Sequence, residues 1–312
     1  MNAVLPALAR PVLEPHLPAD LAVTWFSTPA EANAAMADAE IAWVDMQPTA
    51  LVADAIRASG PGLRWISTIY AGLDAFPLDL LRERGVTVTN GAGINAVAVA
   101  EYAVLGMLAT AKRYDMVVRA QDAREWPADA PGKVELAGSA ALIIGYGTIG
   151  RLIGERLRAF GVAVTGVTRS GTDGTLRPDA WQAELDRYDW IILAAPSTGE
   201  TRMMIGPQEL AGMKQSAWLI NIARGDMVDQ DALVTALETS GIAGAFLDPT
   251  DPEPLPAAHP LWTAPNCLIS MHLSGRSQTT MFSRAATLFL ANLSAWREGR
   301  PMRNVVDLSA GY

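Results

Sequence analysis

An α/β architecture with two parallel sheets, each covered by helices, is what this sequence predicts. Three observations lead to that reading. Short apolar runs alternate with helix-like segments through the first hundred residues. The same alternation restarts near residue 140, and at the restart a glycine-rich loop lies between a strand-like and a helix-like segment.

In chain order, the first β-type runs are Ala22–Phe26, Ile41–Val44, Leu63–Ile69 and Val86–Thr89. Between them lie the helix candidates Pro29–Ala37, Thr49–Ala58 and Pro77–Arg84. Pro29 and Pro77 read as first-turn prolines, where a missing N–H is harmless. From Ala96 to Ala120 the pattern is one long helix, apolar nearly all round at its start and so expected to be buried between layers. A polar loop with Trp126 and Pro127 follows. The second alternating unit then has strand candidates at Ala140–Ile144, Val162–Val167, Trp190–Ala194, Trp218–Asn221, Gly244–Phe246 and Cys267–Ser270. Its helix candidates include Thr148–Phe160 and Gln230–Thr239, and Gln278–Glu298 reads as a closing amphipathic helix.

Composition narrows the function classes. A chain of 312 residues suggests about two domains. Its net charge is −9 and it has no run of Lys or Arg, so nucleic acid and anionic membranes are not expected partners. A single cysteine, Cys267, allows no intrachain disulfide and fits a reducing cytoplasm. It reads as a small buried hydrophobe. Pro6, Arg10 and Pro11 interrupt the N-terminal segment, so neither a signal peptide nor a transmembrane stretch is expected. One Cys and three scattered His give no metal-ligand spacing.

The glycine loop is Gly145-Tyr146-Gly147-Thr148-Ile149-Gly150. Strand, glycine loop, helix and strand in succession form a dinucleotide-binding fingerprint. Gly145 permits the turn, Gly147 admits a pyrophosphate to the backbone, and Gly150 lets helix and strand pack. The helix N-terminus offers N–H groups and a partial positive charge to the phosphates. An acid is expected roughly 20 residues on to hold the ribose 2′-OH of NAD. Here the second strand ends instead in Thr168-Arg169-Ser170. A cation flanked by hydroxyls suits a 2′-phosphate, which points to NADP(H), with NAD(H) as the alternative. Arg169 also has a plainer reading as a solvated loop cation.

Ordered blocks along nearly the whole chain resemble the D-isomer-specific 2-hydroxyacid dehydrogenase family. They are Asn90 to Asn95 followed by Val99-Ala100-Glu101, the glycine loop, Ala195-Pro196-Ser197 with Glu200-Thr201, Asn221 to Asp226, Leu247-Asp248, Pro252 to Leu255, His259 to Trp262, and His272 after Leu268 to Met271. The resemblance implies two Rossmann-like or flavodoxin-like domains. A cofactor domain at 98–277 is inserted into a discontinuous substrate domain made of 1–97 and 278–312. It implies Arg224, Glu253 and His272 as the catalytic residues, and Ala71, Gly72, Tyr70 and Arg224 as the substrate site. Ala195, Pro196, Thr201, Ala223 and Asp248 join the glycine loop and residues 168–170 as cofactor contacts. From the residues alone Asp248 is either a loop cap or a partner of the nicotinamide amide. The family also implies a homodimer formed through the long helix after Asn95 and the loop at Trp126. Three departures bear on the substrate: Met271 stands where a proline commonly precedes the histidine, Pro249 and Thr250 follow Asp248, and Tyr70 precedes Ala71-Gly72. The ending at 168–170 is similar to that of the NADPH-preferring glyoxylate and hydroxypyruvate reductases.

These residue types suit reduction of a 2-keto acid. The guanidinium of Arg224 can form paired hydrogen bonds with a carboxylate and a keto oxygen. His272 can deliver a proton, because imidazole titrates near neutrality. Glu253 can accept its other ring N–H and fix the tautomer. A plainer reading makes His272 a core histidine, Arg224 a surface ion-pair residue and Glu253 a solvated loop acid. The ordered blocks favour the catalytic reading. The expected function is NADPH-preferring reduction of small 2-keto acids to D-2-hydroxy acids. The alternatives are an NAD-dependent D-2-hydroxyacid or phosphoglycerate dehydrogenase, and a dinucleotide-sensing corepressor-like binding protein without activity.

Overall fold

The computed structural model of the chain describes residues 1–73 and 75–309. They form two compact units: Met1–Asn95 together with the segment from Gln278 onward, and Ala96–Ser277.

The first unit runs β1 (Asn2–Pro6), α1 (Arg10–Leu13), β2 (Ala22–Phe26), α2 (Pro29–Ala35), β3 (Ile41–Ala42), α3 (Ala50–Arg57), β4 (Trp65–Ser67), α4 (Leu78–Glu83) and β5 (Thr87–Thr89). The sheet order is β2-β1-β3-β4-β5 and every pair is parallel. In chain order this is the 2-1-3-4-5 arrangement of flavodoxin-like sheets. Strand β1 has no counterpart among the sequence-predicted runs, although Ala3, Val4 and Leu5 are buried. Its proline is its last residue, where a strand tolerates the lost donor. Helix α2 starts as the sequence predicts, with Pro29 in the first turn behind a Thr28–Glu31 capping box. Pro77 differs from expectation: it is the N-cap residue, and Leu78 opens α4.

The second unit begins with α5 (Ala96–Lys112) and α6 (Tyr114–Ala123). The single helix predicted for this stretch is therefore broken. Arg113 takes a left-handed conformation, φ 48°, which no apolar periodicity encodes. Its guanidinium is held by Asp115 and donates to Asn266 Oδ1 at 2.6 Å. There follow β6 (Ala140–Ile144), α7 (Thr148–Ala159), β7 (Ala163–Val167), β8 (Trp190–Leu193), α8 (Pro207–Gly212), β9 (Trp218–Asn221), α9 (Gln230–Glu238), β10 (Gly244–Leu247) and β11 (Cys267–Ile269). Helix α8, like α1, has no counterpart among the predicted helices; its Glu209 reaches back to the Gly206 N–H.

The second sheet is parallel throughout, in the order β11-β10-β9-β8-β6-β7. Alternate residues of its strands face opposite layers, as the two-residue repeat of a strand requires. Leu142, Ile144, Ile191 and Leu193 enter one core, while Ala141, Ile143, Trp190 and Ile192 enter the other. The strand order reverses between β6 and β8, and the glycine loop leaves β6 at that switch point, where open α/β sheets bind ligands.

Helix α10 (Met281–Arg297) returns to the first unit. Its Phe289, fully buried, stacks on Trp65 at 5.1 Å between ring centroids and lies 5.8 Å from Trp43. No helix among the described residues is long and apolar enough to cross a membrane.

Candidate active site

The glycine loop has the geometry its sequence requires. Gly145 sits at φ +97°, and a Cβ there would fall 2.3 Å from the Ala195 nitrogen. A Cβ at Gly150 would fall 2.3 Å from the Gly145 carbonyl oxygen, so close helix–strand packing depends on it. At Gly147 a Cβ would meet no atom within 4 Å. Gly147 is also the N-cap of α7 and supplies no side-chain cap, so the helix opens onto accessible backbone. An uncapped helix N-terminus beside open space suits a pyrophosphate. Tyr146 turns inward instead. It is buried, and its hydroxyl accepts from Arg158 Nη1 at 2.9 Å.

At the end of β7 the two hydroxyls order the turn. Thr168 Oγ1 lies 2.7 Å from Thr175 Oγ1 and accepts from the Gly171 N–H, while Ser170 Oγ lies 2.9 Å from Thr172 Oγ1. Arg169 stands exposed between them. After β8, Thr201 ties its loop together: its hydroxyl donates to the Pro196 carbonyl at 2.8 Å and accepts from the Thr198 N–H at 2.8 Å. Ser197 donates to Asp226 Oδ2 at 2.8 Å, joining this loop to the turn after β9.

That turn presents Arg224. Asn221, buried at the end of β9, accepts from the Ala223 N–H and donates to the Arg224 carbonyl at 2.7 Å. Arg224 Nη1 donates to the Ala223 carbonyl at 2.8 Å. The next residue must be glycine: a Cβ at Gly225 would lie 2.0 Å from the Thr250 carbonyl carbon. This close approach brings the Arg224 turn onto the loop of Glu253, and the positive charge of Arg224 acts on that carboxylate.

His272 Nδ1 lies 2.8 Å from Glu253 Oε2 and 3.0 Å from Oε1. Burial alone would raise the Glu253 pKa. The hydrogen bond and charge of His272, the Thr250 N–H and the charge of Arg224 outweigh burial and hold it below 4.5. An ionised carboxylate only accepts, so Nδ1 bears the hydrogen and Nε2 is left for chemistry.

The loop carrying His272 is folded around Asp248, which is 1% exposed. The Asp248 carbonyl accepts from the His272 N–H at 2.8 Å. Its Oδ1 accepts from the Ser270 hydroxyl at 2.8 Å and from the Leu273 and Ser274 N–H groups at 3.0 and 3.2 Å. Of the two readings of this residue, these bonds belong to the loop cap; Oδ2 has one long bond, from Ser274 at 3.4 Å. Met271 and His272 are both left-handed, at φ 52° and 53°. Proline, fixed near φ −65°, cannot adopt that conformation, so the methionine at 271 matches the path the loop takes here. A non-glycine residue pays roughly 1–3 kcal/mol for such strain, which concentrates at functional sites.

Of the other histidines, His259 caps a short turn, its Nδ1 accepting from the Leu261 N–H at 3.3 Å. Cys267 packs on the sheet core, and burial pushes its thiol up to about 12. Tyr70, Ala71 and Gly72 lie in the first unit, just beyond β4. Arg224, Glu253 and His272 thus come together in one unit, and the substrate-loop residues belong to the other. Asn221, Ser197, Asp226 and Ser270 were not singled out as site residues from sequence. Their common signal is a small polar side chain at or just past a strand end.

Comparison with known proteins identifies the family of the chain. Residues 104–274 match the NAD binding domain of the D-isomer specific 2-hydroxyacid dehydrogenases. Human glyoxylate reductase/hydroxypyruvate reductase is 35% identical over 269 residues, covering 81% of this chain and 80% of that protein. The solved structure of a D-isomer specific 2-hydroxyacid dehydrogenase family protein from Aeromonas salmonicida superposes with a TM-score of 0.88. It is 28% identical and covers 98% of this chain and 99% of that one. An NADPH-dependent glyoxylate/hydroxypyruvate reductase from Sinorhizobium meliloti, solved with NADP and malonate, is 25% identical with a TM-score of 0.79 over 99% of this chain and 98% of its own. With this match over more than half its length, the chain belongs to the D-isomer-specific 2-hydroxyacid dehydrogenase family, oxidoreductases that act on CH–OH groups and use a nicotinamide dinucleotide.

Proposed function

We propose that this protein reduces small 2-keto acids of the glyoxylate and hydroxypyruvate type to D-2-hydroxy acids, with NADPH preferred over NADH. The observation that carries the reading is the His272–Glu253 pair at 2.8 Å on loops adjoining the Arg224 turn. The similarity to proteins named glyoxylate/hydroxypyruvate reductase supports the substrate class.

Each residue has a role that follows from its chemistry. Arg224 pairs with the substrate carboxylate and polarises the keto oxygen. By the family resemblance, the N–H groups of Ala71 and Gly72 are the carboxylate donors that the first unit supplies. His272, protonated, donates from Nε2 to the keto oxygen as charge develops there. Glu253 keeps Nδ1 protonated and stabilises the imidazolium. In the opposite direction neutral His272 accepts the hydroxyl proton at Nε2. The nicotinamide, when bound, supplies the hydride. The backbone at Gly147 and the start of α7 would hold its pyrophosphate, and the loops at Ala195, Pro196, Thr201, Ala223 and Asp248 would line it.

NADPH preference rests on Arg169, exposed at the end of β7 where an NAD-selective chain carries an acid. The test is a panel of 2-keto acids with NADPH and NADH, for wild type and Arg169→Ala. The variant is expected to lose about tenfold in kcat/KM for NADPH, the scale of one charge-assisted contact, and little for NADH. Equal preference in both proteins sinks the role of Arg169. Binding of NADPH without turnover of any keto acid favours the sensing protein instead.

We also propose a homodimer through α5, α6 and the following loop. Leu105, Tyr114, Met116, Val117 and Val118 are exposed there, and Trp126 is 97% exposed, a surface unusual for a protomer acting alone. Light scattering at micromolar concentration is expected to give twice the chain mass, and a monomer overturns this. The reducing cytoplasm is the compartment that suits the lone thiol and an NADPH-linked reaction.

A further inference from the structure

The first unit contains a carboxylate that the proposed chemistry does not use. Asp45 lies just past β3, and β3 pairs with β4 through Ile41–Trp65 and Ala42–Ile66. Its carboxylate therefore reaches the loop that leaves the neighbouring strand. Oδ1 accepts from the Thr68 hydroxyl, and Oδ2 accepts from the Ile69 N–H at 2.6 Å and from Trp43 Nε1 at 2.6 Å. Thr68 relays the contact, since its Oγ1 also accepts from the Tyr70 N–H at 3.1 Å. The Tyr70 hydroxyl donates to the Met46 carbonyl at 3.1 Å and accepts from Gln47 Nε2 at 2.9 Å.

The same loop is gripped from its other side. The Tyr70 carbonyl accepts from the Gly91 N–H at 2.9 Å, and the Ala71 carbonyl accepts from Asn90 Nδ2 at 2.8 Å. A Cβ at Gly91 would fall 2.0 Å from the Ile69 carbonyl oxygen, so only glycine allows this approach. Residues 68–71 are thus fixed through groups on both flanks. Among the described residues, the N–H groups of Ala71 and Gly72 donate to no protein acceptor. A backbone held this firmly around two uncommitted donors is preorganised for an anion.

We propose that Asp45 is a positioning residue for substrate. Through Thr68 and Ile69 it holds the 68–72 backbone in the shape that presents the Ala71 and Gly72 N–H groups to the keto-acid carboxylate. This rests on the reading of that loop given under Proposed function. Both Asp45 oxygens are taken up by Trp43, Thr68 and Ile69, so its effect runs through the loop and falls on substrate binding. Burial pushes its carboxyl up to about 6 against the pull of its three donors, as expected of a group shielded from water.

The experiment is steady-state kinetics on the full chain with glyoxylate and NADPH. Asp45→Ala is expected to raise the KM for glyoxylate about tenfold, the scale of a misplaced binding group. Its kcat and its KM for NADPH stay within about twofold of wild type. Asp45→Asn keeps one acceptor oxygen and is expected to recover most of the lost affinity. An unchanged glyoxylate KM in Asp45→Ala overturns the proposal. So does a parallel loss of kcat and NADPH affinity, which marks general unfolding. Gly72→Pro, which deletes one of the two N–H groups, separates this proposal from the reading beneath it. If Gly72→Pro leaves the KM unchanged, the loop does not bind the carboxylate and that reading fails. If it raises the KM while Asp45→Ala does not, only the role of Asp45 fails. Should Asp45→Ala not fold, Thr68→Val removes one of the three donors. A rise in KM of about threefold then supports the proposal, and no change overturns it.

Discussion

The two units solve one positioning problem with the same device and different donors. In each, an aspartate just past a parallel strand accepts hydrogen bonds from the loop that follows the neighbouring strand. Asp45 follows β3 and grips the loop after β4, whereas Asp248 follows β10 and grips the loop after β11. Asp45 takes an indole, a hydroxyl and one backbone N–H. Asp248 takes a hydroxyl and two backbone N–H groups, and its own carbonyl holds the His272 N–H. Parallel pairing explains the recurrence, because it sets neighbouring strand ends side by side with their loops on the same edge. In the proposed reading the two clamps differ in what they hold: one aims uncommitted backbone donors, the other a proton donor.

That difference makes its largest prediction at Asp248. Asp248→Ala leaves the Leu273 and Ser274 N–H groups without their acceptor. The expected cost is about 3 kcal/mol of stability, together with a fall in kcat of about a hundredfold as His272 loses its aim. Urea unfolding and kcat with glyoxylate measure both. A variant whose glyoxylate KM rises while kcat holds behaves like Asp45→Ala and breaks the distinction between the clamps.

A smaller effect separates two carboxylates by sign. Asp45 is raised in the fold, from 3.8 to about 6, by burial, with no charged neighbour contributing. The folded chain therefore binds the extra proton, and Asp45 withdraws stability as pH rises from about 4 to about 6. Glu253 is held below 4.5, so its stabilisation is full above that value and fades as pH falls through its lowered pKa. Melting temperatures between pH 3 and 7 check this. Relative to Asp45→Asn the wild type is expected to lose ground as pH rises through 4–6. Relative to Glu253→Gln it gains ground over the acid end of the range. The same sign in both comparisons contradicts the assignment.

Much of the second unit was legible in the sequence, because its strands are apolar runs placed by a glycine loop of known geometry. Their ends fall within a residue or two of expectation, as for Ala140–Ile144 and Trp218–Asn221. The first unit was harder to read. β1 (Asn2–Pro6) has no counterpart among the predicted runs, because a run that contains proline argues against an inner strand, and β3 covers only the first half of the predicted run Ile41–Val44. The break at Arg113 depends on contacts with Asp115 and Asn266, and the latter is distant in sequence. Arg224, Glu253 and His272 were named together because ordered blocks mark them, and the structure places His272 against Glu253 with the charge of Arg224 acting on that carboxylate. Asp45 was not named, since a lone aspartate after a short apolar run is common and its function depends on donors 23 and 24 residues away.

The insertion of the second unit also sets an order of events during synthesis. Trp65 and Trp43 await Phe289 of α10, which leaves the ribosome only after all of Ala96–Ser277. At 5–20 residues per second that delay is roughly 10–40 s. For that interval the nascent first unit shows two large indoles to its surroundings, while the later-made unit already has its whole sheet. A chain stopped shortly after Ser277 would then leave a dinucleotide-binding fold attached to a half-finished partner. Stalled or truncated synthesis of this protein is therefore expected to yield a species that chaperones recognise through its N-terminal part.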